Sequence, residues 1–399
     1  MIDTNPIPTK ESELELELIR ATNPKVIKQV WLNNRTHFAK EMPVDVWLEK
    51  AALRTSLDLG PGIEHKTWIL VPKGKGDDPS AILSAVHTYE RPGFMSTATI
   101  APGTDIRYGG LEKGSVGKTT RPDVEIMDVV IVYILLVFTP VEHRKQGYAT
   151  KMLKMLRNQL ELQTNPTVSA SFLYSSVGPT FYEASGWSAV RSRELVMDVP
   201  GHAFPDLPPG SGARRYQLED ITDVNLQQVM DKDIELLRLD MKTKTQSALA
   251  NQQYVAFLPE ARIFQGQRAI ASFTNQRVSH LSKPISRIGV RLVCDEKFKN
   301  EQPFIIWTYL VPHKLLLILR TRYVTVQQLQ ILLKEAMKEA CEWDMTTMSL
   351  WDLNEEDALQ AAGAPNRDRT VAWSCLGQFG GTMQPNIELL LNEAYIWGL

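Results

Sequence analysis

The chain reads as an α+β protein of two domains. Three observations carry this reading. At 399 residues it is longer than one hydrophobic core usually serves. Short apolar runs of strand length alternate with amphipathic runs of helix length in both halves. Between the halves, residues 199–213 hold Pro200, Gly201, Pro205, Pro208, Pro209, Gly210 and Gly212, the composition of a linker. The expected division is a first domain over 12–198 and a second over 214–399.

The elements follow in order. Leu14-Glu15-Leu16-Glu17-Leu18 alternates apolar and acidic residues, as a strand with one buried face does. Asn23-Pro24 opens a helix toward Phe38, with Asn23 as N-cap and Pro24 in the first turn. A second helix starts at Pro43. Thr67 to Val71 and Ala81 to Tyr89 are strands around a Gly/Asp/Pro turn. Pro92 to Pro122 has no periodicity and reads as a long loop. The stretch 126–139 is a strand, and its core, Val129 to Phe138, is apolar enough to be buried on both faces. A helix follows from about Gly147 to Glu161, then strand Val168 to Tyr174, a short helix over Pro179 to Ala184, and a strand near Trp187 to Met197. In the second half Arg215 to Leu218, Tyr254 to Phe257, Ala269 to Asn275 and two runs within Phe304 to Val324 read as strands. Val224 to Met241 and Val326 to Glu342 read as helices, and strand Thr347 to Trp351 precedes helix Glu355 to Ala361. Leu329, Leu332, Leu333, Ala336 and Ala340 form a core-facing stripe.

Bulk properties exclude several roles. A formal net charge of −2 gives no general attraction to nucleic acid or to an anionic membrane. The ten residues Val129 to Phe138 are too few to cross about 30 Å of hydrocarbon as a helix. The polar, acidic start, Met1 to Glu17, is no signal or transit peptide. Cys294, Cys341 and Cys375 are three, far apart and without a CxxC pair. They are expected as reduced, buried thiols of a cytoplasmic protein, with no metal site. Residues 112–119, EKGSVGKT, nearly copy a P-loop, but Glu112 stands where its first glycine belongs and Pro122 where its helix would run.

Two stretches carry chemistry. The first is the apolar strand ending Val137-Phe138-Thr139, then Arg144-Lys145-Gln146-Gly147-Tyr148-Ala149, then a helix. Such a turn aims free backbone N–H groups outward at the positive end of a helix dipole, a site for a diphosphate. Gly147 admits close approach of the backbone, and Arg144 adds a full charge. The second is Phe181-Tyr182-Glu183-Ala184-Ser185-Gly186-Trp187, a short helix closed by Gly186 and followed by a strand.

RKQGYA and PTFYEASGW, in this order and setting, resemble the cofactor turn and the later aromatic-Tyr motif of the GCN5-related N-acetyltransferases, over roughly residues 12–198. VFTPVEHRKQGYA, the large second half and the ending NEAYIWGL resemble more closely the fungal lysine N6-acetyltransferases. The resemblance implies a mostly antiparallel sheet flanked by helices, an N-terminal acetyltransferase fold and a second, possibly degenerate one without its own cofactor site. It implies acetyl-coenzyme A as cosubstrate, no metal, and a small amine, the side-chain amine of free lysine, acetylated by direct transfer. Backbone groups of Val137, Phe138 and Thr139 pair with the pantetheine arm, and Arg144, Lys145, Gln146, Gly147, Tyr148 and Ala149 hold the pyrophosphate. Tyr182 protonates the leaving thiolate.

One family feature is missing. Val129 to Thr139 has no carboxylate to act as general base. Glu125, Asp128, His87, Glu90 and water all remain open for that role. A protein or peptide acetyltransferase is the alternative within the class, and a non-catalytic acyl-coenzyme A sensor or scaffold the alternative outside it. The second half has no [RQ]xxGx[GA] turn. Val311-Pro312-His313-Lys314, after its apolar strand, offers no glycine for a phosphate.

Overall fold

The computed structural model describes residues 15–57, 59–60, 63–99, 123–162, 168–199, 201, 204–205, 216–248, 252–281, 284–293, 301–351, 353–363, 367–378 and 387–395. The P-loop-like stretch 112–119, Cys294 and most of the expected linker lie outside them.

The first half begins with β1 (Leu16–Arg20), α1 (Pro24–Phe38), α2 (Val44–Ser56), β2 (His65–Pro72), β3 (Ser84–Thr99) and β4 (Asp123–Phe138). It continues with α3 (Tyr148–Leu162), β5 (Val168–Ser175), α4 (Thr180–Glu183) and β6 (Ser188–Asp198). Asn23 caps α1 as its sequence requires, its side chain accepting from Lys25 N at 3.0 Å. Met152, Leu153, Leu156 and Leu160 recur at helical spacing and bury α3 against the sheet. Pro92 to Thr99, expected as loop, instead prolongs β3, paired on both sides with β4 and β8. Partner strands supply order here that local periodicity does not show.

The second half holds β7 (Gln217–Ile221), α5 (Leu226–Ser247), β8 (Gln253–Phe257), α6 (Ala261–Ser279), β9 (Gly289–Val293), β10 (Phe304–Leu310) and β11 (Leu315–Arg322). After these come α7 (Val326–Glu342), β12 (Thr347–Trp351), α8 (Glu355–Ala362), β13 (Arg367–Gln378) and β14 (Ile387–Leu389). The expected strand 269–275 is wrong, because it lies inside α6. Ile263, Phe264, Gln267, Ile270, Ala271 and Asn275 are buried at three- to four-residue intervals, a helical stripe that a seven-residue window cannot reveal. The α7 stripe is fully buried, with Leu329, Leu332, Leu333, Ala336 and Ala340 all at 0% exposure.

All fourteen strands join one sheet in the order β1-β2-β3-β4-β5-β13-β6-β12-β11-β10-β9-β7, with β8 on β3 and β14 on β8. The ladders β4–β5, β11–β12 and β8–β14 are parallel, and every other described pairing is antiparallel. The second half repeats the plan of the first. Three antiparallel neighbours lead to a parallel pair joined by a helix, β4-α3-β5 in one and β11-α7-β12 in the other. The halves are interlocked, however. Strand β13 of the second half lies between β5 and β6 of the first, and β6 pairs with β12. The largest core cluster also draws from both, with Tyr133 and Phe172 beside Phe257, Phe304 and Tyr395. Cys375 of β13 is buried, whereas Cys341 is exposed, contrary to the expectation of buried thiols.

This exchange predicts that the halves do not fold apart. A fragment ending at Asp198 lacks the strand between β5 and β6. It should show no cooperative thermal transition by circular dichroism, while the whole chain melts in one step. A monomeric 1–198 fragment with a sharp transition would contradict the interlock.

Candidate functional site

The site is built where β4 parts from β5. The two strands pair in parallel from Val130/Val168 to Ile134/Leu173, and the ladder then stops. Beyond it β4 bulges. His87 faces Leu135 and Ala85 faces Phe138, so Val86 stands opposite two residues, Leu136 and Val137. Leu136 has φ +51°, in the left-handed region that costs a leucine of order 1 kcal/mol or more. From Leu135 to Phe138 the β5-facing edge of β4 has no strand neighbour among the described residues. The Phe138 carbonyl accepts from Ser84 Oγ at 3.0 Å, and the Thr139 carbonyl from Arg144 Nε at 3.0 Å. Of the three residues expected to line the pantetheine arm, Phe138 and Thr139 are thus fixed from behind by these bonds, while Val137 packs toward α3.

The turn that follows has the expected form. Lys145 has φ +63° and Gly147 φ +80°, flanking Gln146 before α3 begins at Tyr148. Left-handed residues in such a turn make successive N–H groups converge. A Cβ added at Gly147 would meet nothing within 4 Å, so the space in front of this backbone is open. The first turn of α3 carries no acidic residue, and no side-chain cap reaches it among the described residues. Its free N–H groups and dipole therefore face outward. Arg144 is held over the Phe138 ring at 5.4 Å, and Gln146 Nε2 donates to the Glu142 carbonyl at 3.2 Å.

Tyr182 lies on α4 in the cluster of Val132, Ile134 and Leu173, against which Val137 and Tyr148 also pack. Residues expected at the cofactor and at the leaving group thus meet on one face. Tyr182 is 6% exposed and its hydroxyl has no hydrogen bond among the described residues. Burial, with Cys375 nearby, pushes the phenol well above its usual range, so it stays protonated.

The second half carries a copy of this architecture with its edge and helix start filled. Here β11 parts from β12 after Leu317/Ser349, and its own bulge leaves Leu319 without a β10 partner. That edge is occupied by the chain itself. Tyr395 N donates to the Leu319 carbonyl at 3.0 Å, and the Glu393 carboxylate accepts from Thr321 N at 3.3 Å. The start of α7 is closed by a capping box. Thr325 accepts from Gln328 N, and Gln328 Oε1 accepts from Val324 N and Thr325 N. The counterpart of the phosphate turn is thus 323–325, not Val311-Pro312-His313-Lys314, which links the antiparallel β10 and β11.

The base candidates separate by position. Glu125 and Asp128 are exposed and lie eleven and eight residues before Leu136, so even Asp128 is roughly 26 Å away along the strand. Asp128 pairs with Arg238 at 2.7 Å, and Glu90 pairs with Lys66. His87 is the one of the four opposite the bulge. It is 1% exposed, and its Nε2 meets Asn34 Nδ2 at 3.1 Å. Its Nδ1 meets Thr67 Oγ1 at 3.1 Å and His65 Nε2 at 3.0 Å. His65, which the sequence reading passed over, stacks on His87 and against Tyr89. The alternation of 65 and 67 with 87 and 89 on paired strands was the available signal. Burial and the Arg54 charge lower the His65 pKa to about 4. Burial, His65 and Arg54 lower that of His87 well below its usual value, so both rings are neutral near pH 7. No group of three or more possible metal ligands occurs among the described residues, and no described helix is long and apolar enough to cross a membrane.

Several known proteins are similar to this chain. Residues 204–398 match the family model of the LYC1 GNAT-like C-terminal domain. A lysine acetyltransferase of Yarrowia lipolytica is 32% identical over 83 residues, 17% of this chain and 21% of that protein. The matched stretch thus spans about a fifth of that relative. Among solved structures, a probable N-acyltransferase of Enterococcus faecalis superposes with a TM-score of 0.52 at 11% identity, covering 91% of this chain and 72% of that one. A GCN5-related N-acetyltransferase of Anabaena variabilis gives 0.49 at 11% identity, with coverage of 91% and 72%. The split β4–β5 pair, the glycine turn and the second copy of the same plan give the chain the fold of that N-acyltransferase structure, and just under half of its length, residues 204–398, matches the LYC1 GNAT-like domain.

The neutral histidine pair makes stability depend on pH. An unfolded histidine titrates near 6.5, whereas folded His65 titrates at about 4. Between these values the unfolded chain binds more protons, so the contribution is full above about 6.5 and is lost as pH falls toward 4. For His65 it amounts to at most about 3 kcal/mol. Urea denaturation at pH 7 and pH 5 should show a loss that His65→Gln reduces. An equal loss in both proteins would refute the assignment.

Proposed function

We propose that the protein is an acetyl-coenzyme A-dependent N-acetyltransferase that acts by direct transfer on a small amine, the side-chain amine of free lysine. The observation that carries this reading is the contrast between the halves. The bulged edge of β4 and the start of α3 are left open, while their counterparts at β11 and α7 are closed by Tyr395, Glu393 and Gln328.

The residues fit the cosubstrate. The amides of Lys145 to Ala149 and the Arg144 side chain hold the pyrophosphate through converging N–H groups and a full positive charge. The free edge of β4 at Leu135 to Phe138 receives the pantetheine arm as an added strand, and an N–H there steadies the oxygen on which charge develops. Acetyl-coenzyme A supplies the thioester. The amine nitrogen forms its bond to the acetyl carbon as the carbon–sulfur bond breaks, and Tyr182 gives its proton to the departing sulfur. The proton shed by the amine restores the balance. Of the four residues named from the sequence only His87 lies opposite the bulge, so we assign the proton to it, with His65 hydrogen-bonded beside it and solvent returning a proton to Tyr182. Lysine as the acceptor is supported by the name of the Yarrowia lipolytica relative.

A thiol-release assay with acetyl-coenzyme A against free amino acids, polyamines and peptides tests the reading. Turnover with no amine would sink it, and turnover with peptides but not with lysine would sink its substrate.

Two substitutions locate the site. Gly147→Asp forces a side chain into a φ +80° position and sets a negative charge beside the pyrophosphate. Calorimetry should show acetyl-coenzyme A affinity falling about 10²-fold or more, because charge-assisted hydrogen bonds are lost and repulsion is added. An unchanged dissociation constant would displace the site.

Tyr182→Phe keeps the packed ring and removes a hydroxyl that holds no hydrogen bond among the described residues, so melting temperature and cofactor affinity should hardly move. Turnover should fall about 10²- to 10⁴-fold, the usual worth of general-acid help. A thioester with a more acidic thiol should recover part of the rate. Normal turnover in the variant would leave Tyr182 a packing residue.

A further inference from the structure

On the sheet face opposite α3, beside the bulge of β4, the protein sets two partly buried positive charges that have no carboxylate partner among the described residues. Lys50 and Arg54 stand one turn apart on α2, so their side chains share a face. The Arg54 guanidinium lies over the Trp47 ring at 5.9 Å, and its Nε is shielded from solvent with no acceptor. Burial lowers the pKa of both, and among the described residues no carboxylate acts on either. Lys50 feels only the added repulsion of Arg54 and titrates at about 8. The Tyr89 hydroxyl is likewise buried and unpartnered. Tyr89 faces Tyr133 across β3 and β4, three residues before Leu136, and both feel the Arg54 charge. Arg320 shows the contrast. It is 3% exposed, deeper than the partly buried Arg54, and Asp233 holds it with two bonds and Glu393 with a third.

A partly desolvated cation without a counter-charge is costly for a fold to keep, and a second one a helical turn away adds to the cost. A fold that keeps them here, with an unpartnered phenol beside them, has its anion supplied from outside. The distance suits one class of anion. Three residues of strand separate Tyr133 from Leu136, about 10 Å. The carboxyl carbon and side-chain nitrogen of an extended lysine are six bonds or roughly 7 Å apart, to which a hydrogen bond adds about 3 Å.

We propose that Arg54, with Lys50 and the Tyr89 hydroxyl beside it, binds the carboxylate of the acceptor, so that the acceptor is an amino acid whose reacting amine lies one extended side chain from its carboxylate. This rests on the acetyl-transfer reading for the word acceptor, but the carboxylate site is testable without turnover.

The test is calorimetry on the full chain with coenzyme A present, using L-lysine and its carboxamide as probes of wild type, Arg54→Gln and Arg54→Lys. Wild type should prefer lysine over the amide by about 10²-fold, the usual effect of removing one partner of a buried charge pair. Arg54→Gln should lose about that factor for lysine and almost none for the amide, and Arg54→Lys should fall between. Because Arg54→Gln removes an uncompensated charge, the ligand-free melting temperature should hold or rise, which separates loss of binding from loss of fold. The proposal is overturned if wild type does not discriminate, if it binds neither probe, or if Arg54→Gln weakens both probes equally. Thiol release is read separately. If no amine is acetylated while lysine binding still depends on Arg54, the transferase reading falls and the carboxylate site stands.

Discussion

Two parallel strands that start as neighbours and then separate set the constraint on which the site depends. A parallel ladder has no turn to end it, so β4 and β5 must be forced apart, and the bulge at Leu136 does this. The bulge turns a strand edge into a row of backbone groups without a strand partner, a few residues before a glycine turn that opens a helix. The turn and the edge are consecutive in the chain, so the two halves of one ligand surface are held in fixed relation by a single rigid strand. Tyr182 and the His65–His87 pair then lie on opposite faces of the same gap. In the proposed reaction this keeps the proton donor and the proton acceptor on opposite sides of the sheet.

The second half carries the same constraint and resolves it differently. Its bulge at Leu319 is satisfied by Tyr395 and its helix start by Gln328. Buried backbone groups must find partners somewhere, and a site that lost its ligand would leave them orphaned. The closed half is thus what stability alone selects, and the open half is what function withholds from stability. The unneutralised pair Lys50 and Arg54 belongs to the same category of retained cost.

Much of this was legible in the residues. The turn 144–149, Tyr182, the α1 cap and the α7 stripe each follow from short-range rules, because dipoles, caps and helical periodicity act within a few residues. What was not legible depends on pairing between distant segments. Pro92 to Thr99 has no periodicity of its own and is a strand because β4 and β8 flank it. Strand β13 was missed, as was its position between β5 and β6, since nothing local marks which sheet a strand will enter. Ala269 to Asn275 looked extended until the whole nineteen-residue stripe of α6 was in view. His65 and Arg54 announce nothing by type. The meaning of His65 lies in its partner on the next strand, and that of Arg54 in the lack of a carboxylate among the described residues, and both depend on which segments pair.

The place of β13 in the chain also bears on how the protein is made. Residues 367–378 leave the ribosome about 170 residues after β6, the strand they must join. At 5–20 residues per second that is roughly 10–30 s. Throughout that interval β5 and β6 have no strand between them, and the apolar residues Phe172, Leu173, Leu195 and Val196 lack their final cover. Tyr395, which closes the second half, emerges later still. Assembly is therefore deferred until β13 has emerged, and the growing chain carries open strand edges that nascent-chain chaperones are suited to shield.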